Sequence, residues 1–280
     1  MNIIESPNEL RRHLDSLHQG RKIALVPTMG SLHPGHMKLV ETAKKLADSV
    51  VLSIYVNPTQ FGPDEDYTSY PRSFEQDTSF CRKAGVDVLF APENLYAEDG
   101  PKVSLHVDDL SDCLCGKSRP AHFDGVATIV CILFNLVRPD TAVFGEKDYQ
   151  QLLIVKRLAT DLHLPVDVIG VPTVREKDGL AFSSRNRYLN KKNRIISREL
   201  YNCIKGIYDD ALQGETNVST LVSDGLHSLS SLNIEVEYLE IRHAESLEKI
   251  EHLGNNPARA FVAARIGNTR LIDNILLEQS

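Results

Sequence analysis

Short apolar runs alternate with stretches of helical period through the first two thirds of the chain. Residues 23–26, 49–56, 86–90, 141–144 and 166–171 are rich in Val, Ile, Leu and Phe, the near-continuous apolar character of strands buried on both faces. Between them, apolar residues recur at helical spacing over residues 36–47, 73–84 and 145–162. Residues 1–20 read as a helix opened by Ser6-Pro7 and stopped by Gly20, and Ser73 reads as a helix cap. Residues 123–137 are apolar on nearly every side, which predicts a central helix packed on both sides. A short strand is expected at residues 103–107, inside an otherwise irregular stretch. Strands alternating with helices predict an α/β fold: a Rossmann-like parallel sheet with helices on both faces.

After Pro172 the alternation stops. Residues 191–212 and 219–232 read as helices, and 234–241 and 260–266 as strands, with Gly267-Asn268-Thr269 turning into a further strand at 270–272. Helices followed by a small antiparallel set predict a smaller C-terminal α+β domain. The expected division is 1–173 for the Rossmann-like domain and 174–280 for the second. In parallel sheets ligands bind at the carboxyl ends of the strands. The loops that carry His33, Gln60 and Lys147 each follow a strand and are expected to converge there.

With 280 residues, 42% of them hydrophobic and 25% charged, the chain is long enough for one large core or two medium ones. A net charge of −7 argues against nucleic acid as a partner, because a phosphate backbone needs a basic surface. No apolar run is long enough to cross a membrane, and the N-terminal residues lack the plan of a secretion signal. Five scattered cysteines, with only a Cys113-x-Cys115 pair and no second pair at zinc spacing, point to reduced thiols and a cytoplasmic location.

The chemistry concentrates first in residues 26–40. A buried strand runs into a loop broken by Pro27, Gly30, Pro34 and Gly35, and a helix starts near His36. Such a helix N-terminus offers unpaired backbone N–H groups and the positive end of a dipole to an anion. His33 and His36, three apart, can both donate to phosphate oxygens; they also suit surface positions or half a metal site. The spacing matches neither G-x-G-x-x-G nor G-x-x-x-x-G-K-[ST]. Gly145-Glu146-Lys147-Asp148 opens another helix after a strand, and reads equally as a phosphate and ribose site or as an ordinary capped helix.

His33-Pro34-Gly35-His36 resembles the H-x-G-H signature of the nucleotidylyltransferase and class I aminoacyl-tRNA synthetase superfamily, whose members bind ATP and react at its α-phosphoryl side. Six blocks in order, residues 27–36, 55–61, 70–72, 122–126, 144–151 and 179–186, together resemble the pantothenate synthetase (pantoate–β-alanine ligase) family. The resemblance implies condensation of (R)-pantoate with β-alanine, using ATP and Mg²⁺, through a pantoyl-adenylate, in a homodimer. It implies an ATP site at Met29, Gly30, Ser31, Leu32, His33, Pro34, Gly35 and His36, at Gly145, Glu146, Lys147 and Asp148, and at Val174, Phe182, Ser183, Ser184 and Arg185. His36, His33, Lys147 and Arg185 would be the catalytic set. Gln60 and Gln151 would bind pantoate and Gln60 also β-alanine, as neutral amides that leave the carboxylate nucleophilic. Tyr70, Asn57, His122 and Arg119 would be pocket neighbours, and the C-terminal domain would act as a lid. Phe182 stands where the resemblance leads one to expect Met or Leu, and no Mg²⁺ ligand is assigned. The residues also leave open a nucleotidylyltransferase acting on a phosphorylated cofactor precursor, and a non-catalytic ATP sensor.

Overall fold

The computed structural model describes residues 1–17, 20–232 and 234–277. Residues 18–19 of the first expected helix, and residues 233 and 278–280 of the expected C-terminal domain, lie outside the described residues. The chain divides into two compact units. Unit 1 comprises Met1–Ser111, Ser118–Glu146 and Gln150–Pro172; unit 2 comprises Asp112–Lys117, Lys147–Tyr149 and Thr173–Ser280.

In unit 1 the elements run β1 (Asn2–Ile4), α1 (Pro7–Leu17), β2 (Ile23–Thr28), α2 (Pro34–Leu46), β3 (Ser49–Ile54), α3 (Phe74–Ala84) and β4 (Val88–Phe90). After α4 (Leu114–Ser118), whose residues up to Lys117 belong to unit 2, come α5 (His122–Val137), β5 (Thr141–Gly145), α6 (Tyr149–Asp161) and β6 (Asp167–Val171). The sheet order is β1-β4-β3-β2-β5-β6, with every pairing parallel. Successive strand residues face opposite sides, so Ala24, Val26, Val50 and Leu52 join one core with Leu39, Val40 and Ala43 of α2 and Cys81 of α3. Their neighbours Ile23, Leu25 and Val51 are equally buried on the other side, which explains the unbroken apolar runs. The chain winds outward from β2 through β3 to β4, then returns to the other side of β2 for β5 and β6. The switch in direction falls between β2 and β5, and in such sheets ligands bind at the carboxyl ends of the strands at that point.

In unit 2, α7 (Lys191–Ser197), α8 (Glu199–Leu212) and α9 (Val218–Ser230) precede β7 (Glu235–His243), β8 (Ala258–Ile266) and β9 (Thr269–Leu277). The three strands form an antiparallel sheet in that order. Leu200, Ile204 and Ile207 of α8 and Leu221 and Leu229 of α9 pack on Ala260, Val262, Ala264 and Leu271.

Four details depart from expectation. The first is β1, an edge strand of three residues that pairs with β4 in register Asn2↔Val88; it is too short to carry a period. Residues 103–107 form no strand. The Leu105 and Val107 N–H groups go instead to Thr128 Oγ1 (2.9 Å) and Asp124 Oδ1 (3.0 Å) on α5, so no ladder remains to be made. The helix expected over 191–212 is two, parted at Arg198. There the buried Ser197 hydroxyl donates to the Arg194 carbonyl (2.9 Å), a local bond that competes with helical continuation. The final strand is longer than expected, because nine consecutive residues of β9 pair with β8.

Among the described residues, no helix is long and apolar enough to cross a membrane. Helix α5 presses on the loop after β3: a Cβ added at Gly125 would lie 2.5 Å from the Thr59 carbonyl oxygen and 2.7 Å from the Gln60 nitrogen. Gly125→Ala is therefore expected to destabilise unit 1 by about 1–3 kcal/mol through overpacking, read as a lower urea midpoint.

Candidate functional site

The loop that leaves β2 is held by its own backbone. The Thr28 hydroxyl donates to Ser53 O (2.8 Å) and accepts from Gly30 N (3.1 Å). Gly30 has φ +80° and Ser31 φ +52°, so two successive residues turn in the left-handed region. A Cβ at Gly30 would come within 3.0 Å of Ile54 and 3.1 Å of Asp77. Asp77, on α3, is 2% exposed and receives the Ser31 N–H on Oδ2 and the Leu32 N–H on Oδ1, each at 2.8 Å. Ser73 sits at the helix cap, but its hydroxyl donates to the Asp77 side chain (Oδ1, 3.3 Å) and caps no backbone N–H of the helix. One buried carboxylate thus fixes the loop that sequence reading singled out. Asp77 was not among the expected site residues. The signal for it is an acid four residues before Cys81, on the buried stripe of an amphipathic helix.

The loop delivers His33 as the extended N-cap of α2, with Pro34 at its first position. His36 Nδ1 accepts the His33 backbone N–H at 3.2 Å. In its neutral form His36 therefore carries its proton on Nε2, as a donor. The two rings lie 4.0 Å apart, tilted by 37°.

Gln60 occupies a 3₁₀ turn (Pro58–Gln60) after β3 and is buried. Its Nε2 donates to Met29 Sδ at 2.9 Å, so this loop meets the one after β2. Its Oε1 accepts from Asn57 Nδ2 (3.2 Å), which also donates to Gly125 O (3.0 Å). Asn57 Oδ1 accepts from the Tyr96 hydroxyl (2.8 Å) and the Thr59 hydroxyl (3.0 Å). Burial pushes Tyr55 to about 12 and raises Tyr96, so both stay neutral donors. The Gln60 carbonyl accepts from His122 Nδ1 (2.7 Å), while His122 Nε2 faces Arg119 Nη1 (2.9 Å). A carbonyl only accepts and a guanidinium only donates, so His122 is the neutral Nδ1–H tautomer. Arg119 closes the set with paired bonds to Glu65, at 2.6 and 2.7 Å. Asn57, His122 and Arg119, expected as pocket neighbours, gather around Gln60; Glu65, the counter-charge, was missed. Tyr70 is buried and stacks edge-on to Phe61, 6.0 Å between centroids.

After β5, residues Glu146–Asp148 form a 3₁₀ turn before α6, so this tetrapeptide does not enter the helix directly. Gly170 leaves room beside it, since a Cβ there would lie 3.3 Å from Glu146. Gly145 has nothing within 4 Å of an added Cβ, so no contact explains a glycine there. Gln151 is half-buried in the first turn of α6, while its neighbour Gln150 is buried and donates to Leu110 O (2.8 Å). Within unit 2, Lys147 Nζ lies 3.6 Å from Asp148. Val174 accepts the Phe182 N–H through its carbonyl (3.0 Å), closing a short hairpin that turns at Gly179. Ser183 caps the next 3₁₀ turn (Ser184–Tyr188), its hydroxyl accepting from Arg185 N at 3.3 Å.

A doubly wound parallel sheet with a histidine-bearing helix N-terminus at its switch point is the frame of a nucleotide-binding α/β protein. Residues 2–276 match the family described as pantoate–β-alanine ligase. Pantothenate synthetases of Syntrophotalea carbinolica and Pseudomonas entomophila are 46% and 45% identical, covering 94% and 99% of this chain and 93% and 98% of theirs. The solved pantothenate synthetase of Thermus thermophilus superposes with a TM-score of 0.93 at 44% identity, covering 98% of this chain and 99% of that one. That of the Francisella tularensis ligase, complexed with β-γ ATP and β-alanine, does so at 0.81 and 34%, covering 100% and 99%. The chain belongs to the pantoate–β-alanine ligase family, the ATP-binding ligases that make pantothenate.

Asp77→Asn replaces one acceptor by a donor that faces the Ser31 or Leu32 N–H. A loss of about 1–3 kcal/mol is expected, with faster hydrogen exchange at those two amides than elsewhere in the sheet. A second prediction concerns pH. Burial alone would raise the Glu65 carboxyl, but the hydrogen bond and charge of Arg119 outweigh it and hold the group below 4.5. A depressed carboxyl lends stability above its unfolded value and loses it as pH falls through the folded one. Glu65→Gln should therefore lower Tm at neutral pH and narrow the gap to wild type below pH 4.5.

Proposed function

We propose that this chain forms pantothenate, AMP and pyrophosphate from (R)-pantoate, β-alanine and ATP through a pantoyl-adenylate. The observation that carries this reading is the contact of Gln60 with Met29: a neutral, fully oriented amide meets the loop that leads into His33 and His36 at the N-terminus of α2. An uncharged partner can hold a carboxylate without quenching it. A site for a phosphorylated co-substrate would need cations in that place, so the ligase reading is favoured over nucleotidyl transfer to a phosphorylated precursor.

In this reading the triphosphate lies along Met29, Gly30, Ser31, Leu32, Pro34 and Gly35, with His33 and His36 donating to its oxygens. Glu146, Lys147 and Asp148 take phosphate and ribose, Val174 offers a backbone contact to adenine beside Phe182, and Ser183, Ser184 and Arg185 receive the departing pyrophosphate. Gln60 and Gln151 hold pantoate, and Gln60 orients β-alanine. The pantoate carboxylate oxygen attacks the α-phosphorus in line; the new P–O bond forms as the bond to pyrophosphate breaks. A carboxylate needs no base, so the protein contributes positioning and charge stabilisation. The free amine of β-alanine then attacks the acyl carbon, AMP leaves with the C–O electron pair, and the nitrogen releases its proton. His36 Nε2–H is suited to donate to the phosphate during both steps.

Mg²⁺ bound with the nucleotide would add positive charge to the phosphates beside His33, His36 and Lys147. Hard Mg²⁺ keeps several waters and takes phosphate oxygens readily. Among the described residues, no group of three or more His, Cys, Asp or Glu side chains is arranged to hold a metal by itself. Homodimeric assembly and a cytoplasmic location belong to the same proposal.

His36→Ala and Lys147→Ala are expected to lower pantoate-dependent pyrophosphate release roughly 10²- to 10³-fold with circular dichroism unchanged. Turnover at the wild-type rate in a folded variant removes that residue from the mechanism. A wild-type enzyme that binds ATP yet releases no pyrophosphate with pantoate, and no AMP after β-alanine, rejects the reading.

A further inference from the structure

Strand β9 carries two consecutive buried polar residues, Asp273 (4% exposed) and Asn274 (3%). Neighbouring strand residues face opposite sides, so the pair serves both faces of the unit 2 sheet. Asp273 shares its side with Leu271, Ile275 and Leu277, the apolar row packed against the helices. There it takes Arg175 with both oxygens, Nη1 to Oδ2 at 2.5 Å and Nη2 to Oδ1 at 3.0 Å. The Arg175 guanidinium also donates to Gly179 O (3.1 Å) and lies over the Tyr201 ring at 4.2 Å. Gly179, at φ +92°, has no room for a Cβ, which would fall 2.0 Å from that ring. The hairpin between Val174 and Phe182 is thus clamped at its base and at its tip.

On the other side, Asn274 Oδ1 accepts from Arg259, whose guanidinium stacks 3.7 Å over Tyr149. Asn274 Nδ2 donates to the Lys147 carbonyl at 2.9 Å. Both amide ends have partners of definite sign, so its orientation is unambiguous. The two residues bind segments on either side of the sheet. One is the Lys147 turn; the other leads directly to Ser183, Ser184 and Arg185.

Stability alone is a weak reason for such residues. A buried ion pair and its apolar replacement are often close in free energy, whereas either polar group left without its partner is costly. What the pair does supply is a fixed geometry. We propose that Asp273 and Asn274 are positioning residues for adenylation, setting Lys147 and the segment ending in Arg185 on one strand; this rests on the function proposed above.

The decisive variant is Asn274→Asp, in the full-length chain. It keeps the acceptor for Arg259 but turns the donor facing the Lys147 carbonyl into a carboxylate oxygen. Pantoate-dependent pyrophosphate–ATP exchange reads the first half-reaction alone, and AMP release on adding β-alanine to preformed enzyme-bound adenylate reads the second. Exchange is expected to fall about tenfold or more while the second step stays within about threefold. Exchange within about threefold of wild type, or both steps falling together, overturns the proposal. If Asn274→Asp does not fold, Asn274→Ser, which is too short to reach Lys147, is read by the same two rates. A wild type without exchange would fail the underlying function itself, a result distinct from an active wild type with an equally active variant.

Discussion

A single carboxylate holds the loop after β2 of unit 1 in shape. The loop after β2 must reverse in two left-handed residues and bury backbone N–H groups near the switch point, and neither requirement is met by strand or helix hydrogen bonds. Asp77 meets both by accepting the N–H groups of Ser31 and Leu32 at once. A buried carboxylate is tolerable only when its oxygens are satisfied, and the loop amides and the Ser73 hydroxyl satisfy them. The dependence is mutual: the loop needs the carboxylate for its shape, and the buried carboxylate needs the loop amides as hydrogen-bond partners.

The same logic, with the opposite sign of charge economy, governs Gln60. Every polar group around it is neutral or locally compensated. Asn57 is held by four partners, His122 is locked as the neutral tautomer between a carbonyl and Arg119, and Arg119 is matched by Glu65. Gly125 makes this possible by letting α5 touch the loop backbone, so His122 at the start of that helix reaches the Gln60 carbonyl.

Unit 2 uses a polar pair inside an apolar strand for a comparable end. Its helices and sheet pack as the alternating residues of β8 and β9 dictate, and Asp273 interrupts that row only to hold Arg175. Arg175, Tyr201 and Gly179 form one stacked unit in which the glycine is required by the ring and the ring covers the guanidinium.

Much of this was legible in the sequence. The buried runs at 23–26 and 49–56, and the helical period after Pro34, were enough for a parallel α/β sheet, because strands buried on both faces leave no polar alternation. The H-x-G-H block and the loop positions of Gln60 and Lys147 were visible because glycine, proline and rare polar residues stand out after apolar strands. Short or unpatterned features were not: β1 has three residues, and the backbone at 105–107 is satisfied by side chains of a helix some twenty positions later. Nor were the partners that act at a distance. Asp77 reaches back 46 residues to Ser31, Glu65 forward 54 to Arg119, and Asp273 back 98 to Arg175. Local periodicity and motif spacing determine which segments form elements and where chemistry concentrates. Which carboxylate meets which amide, and hence which tautomer and which charge each site presents, was decided only when the tertiary structure brought those distant residues together.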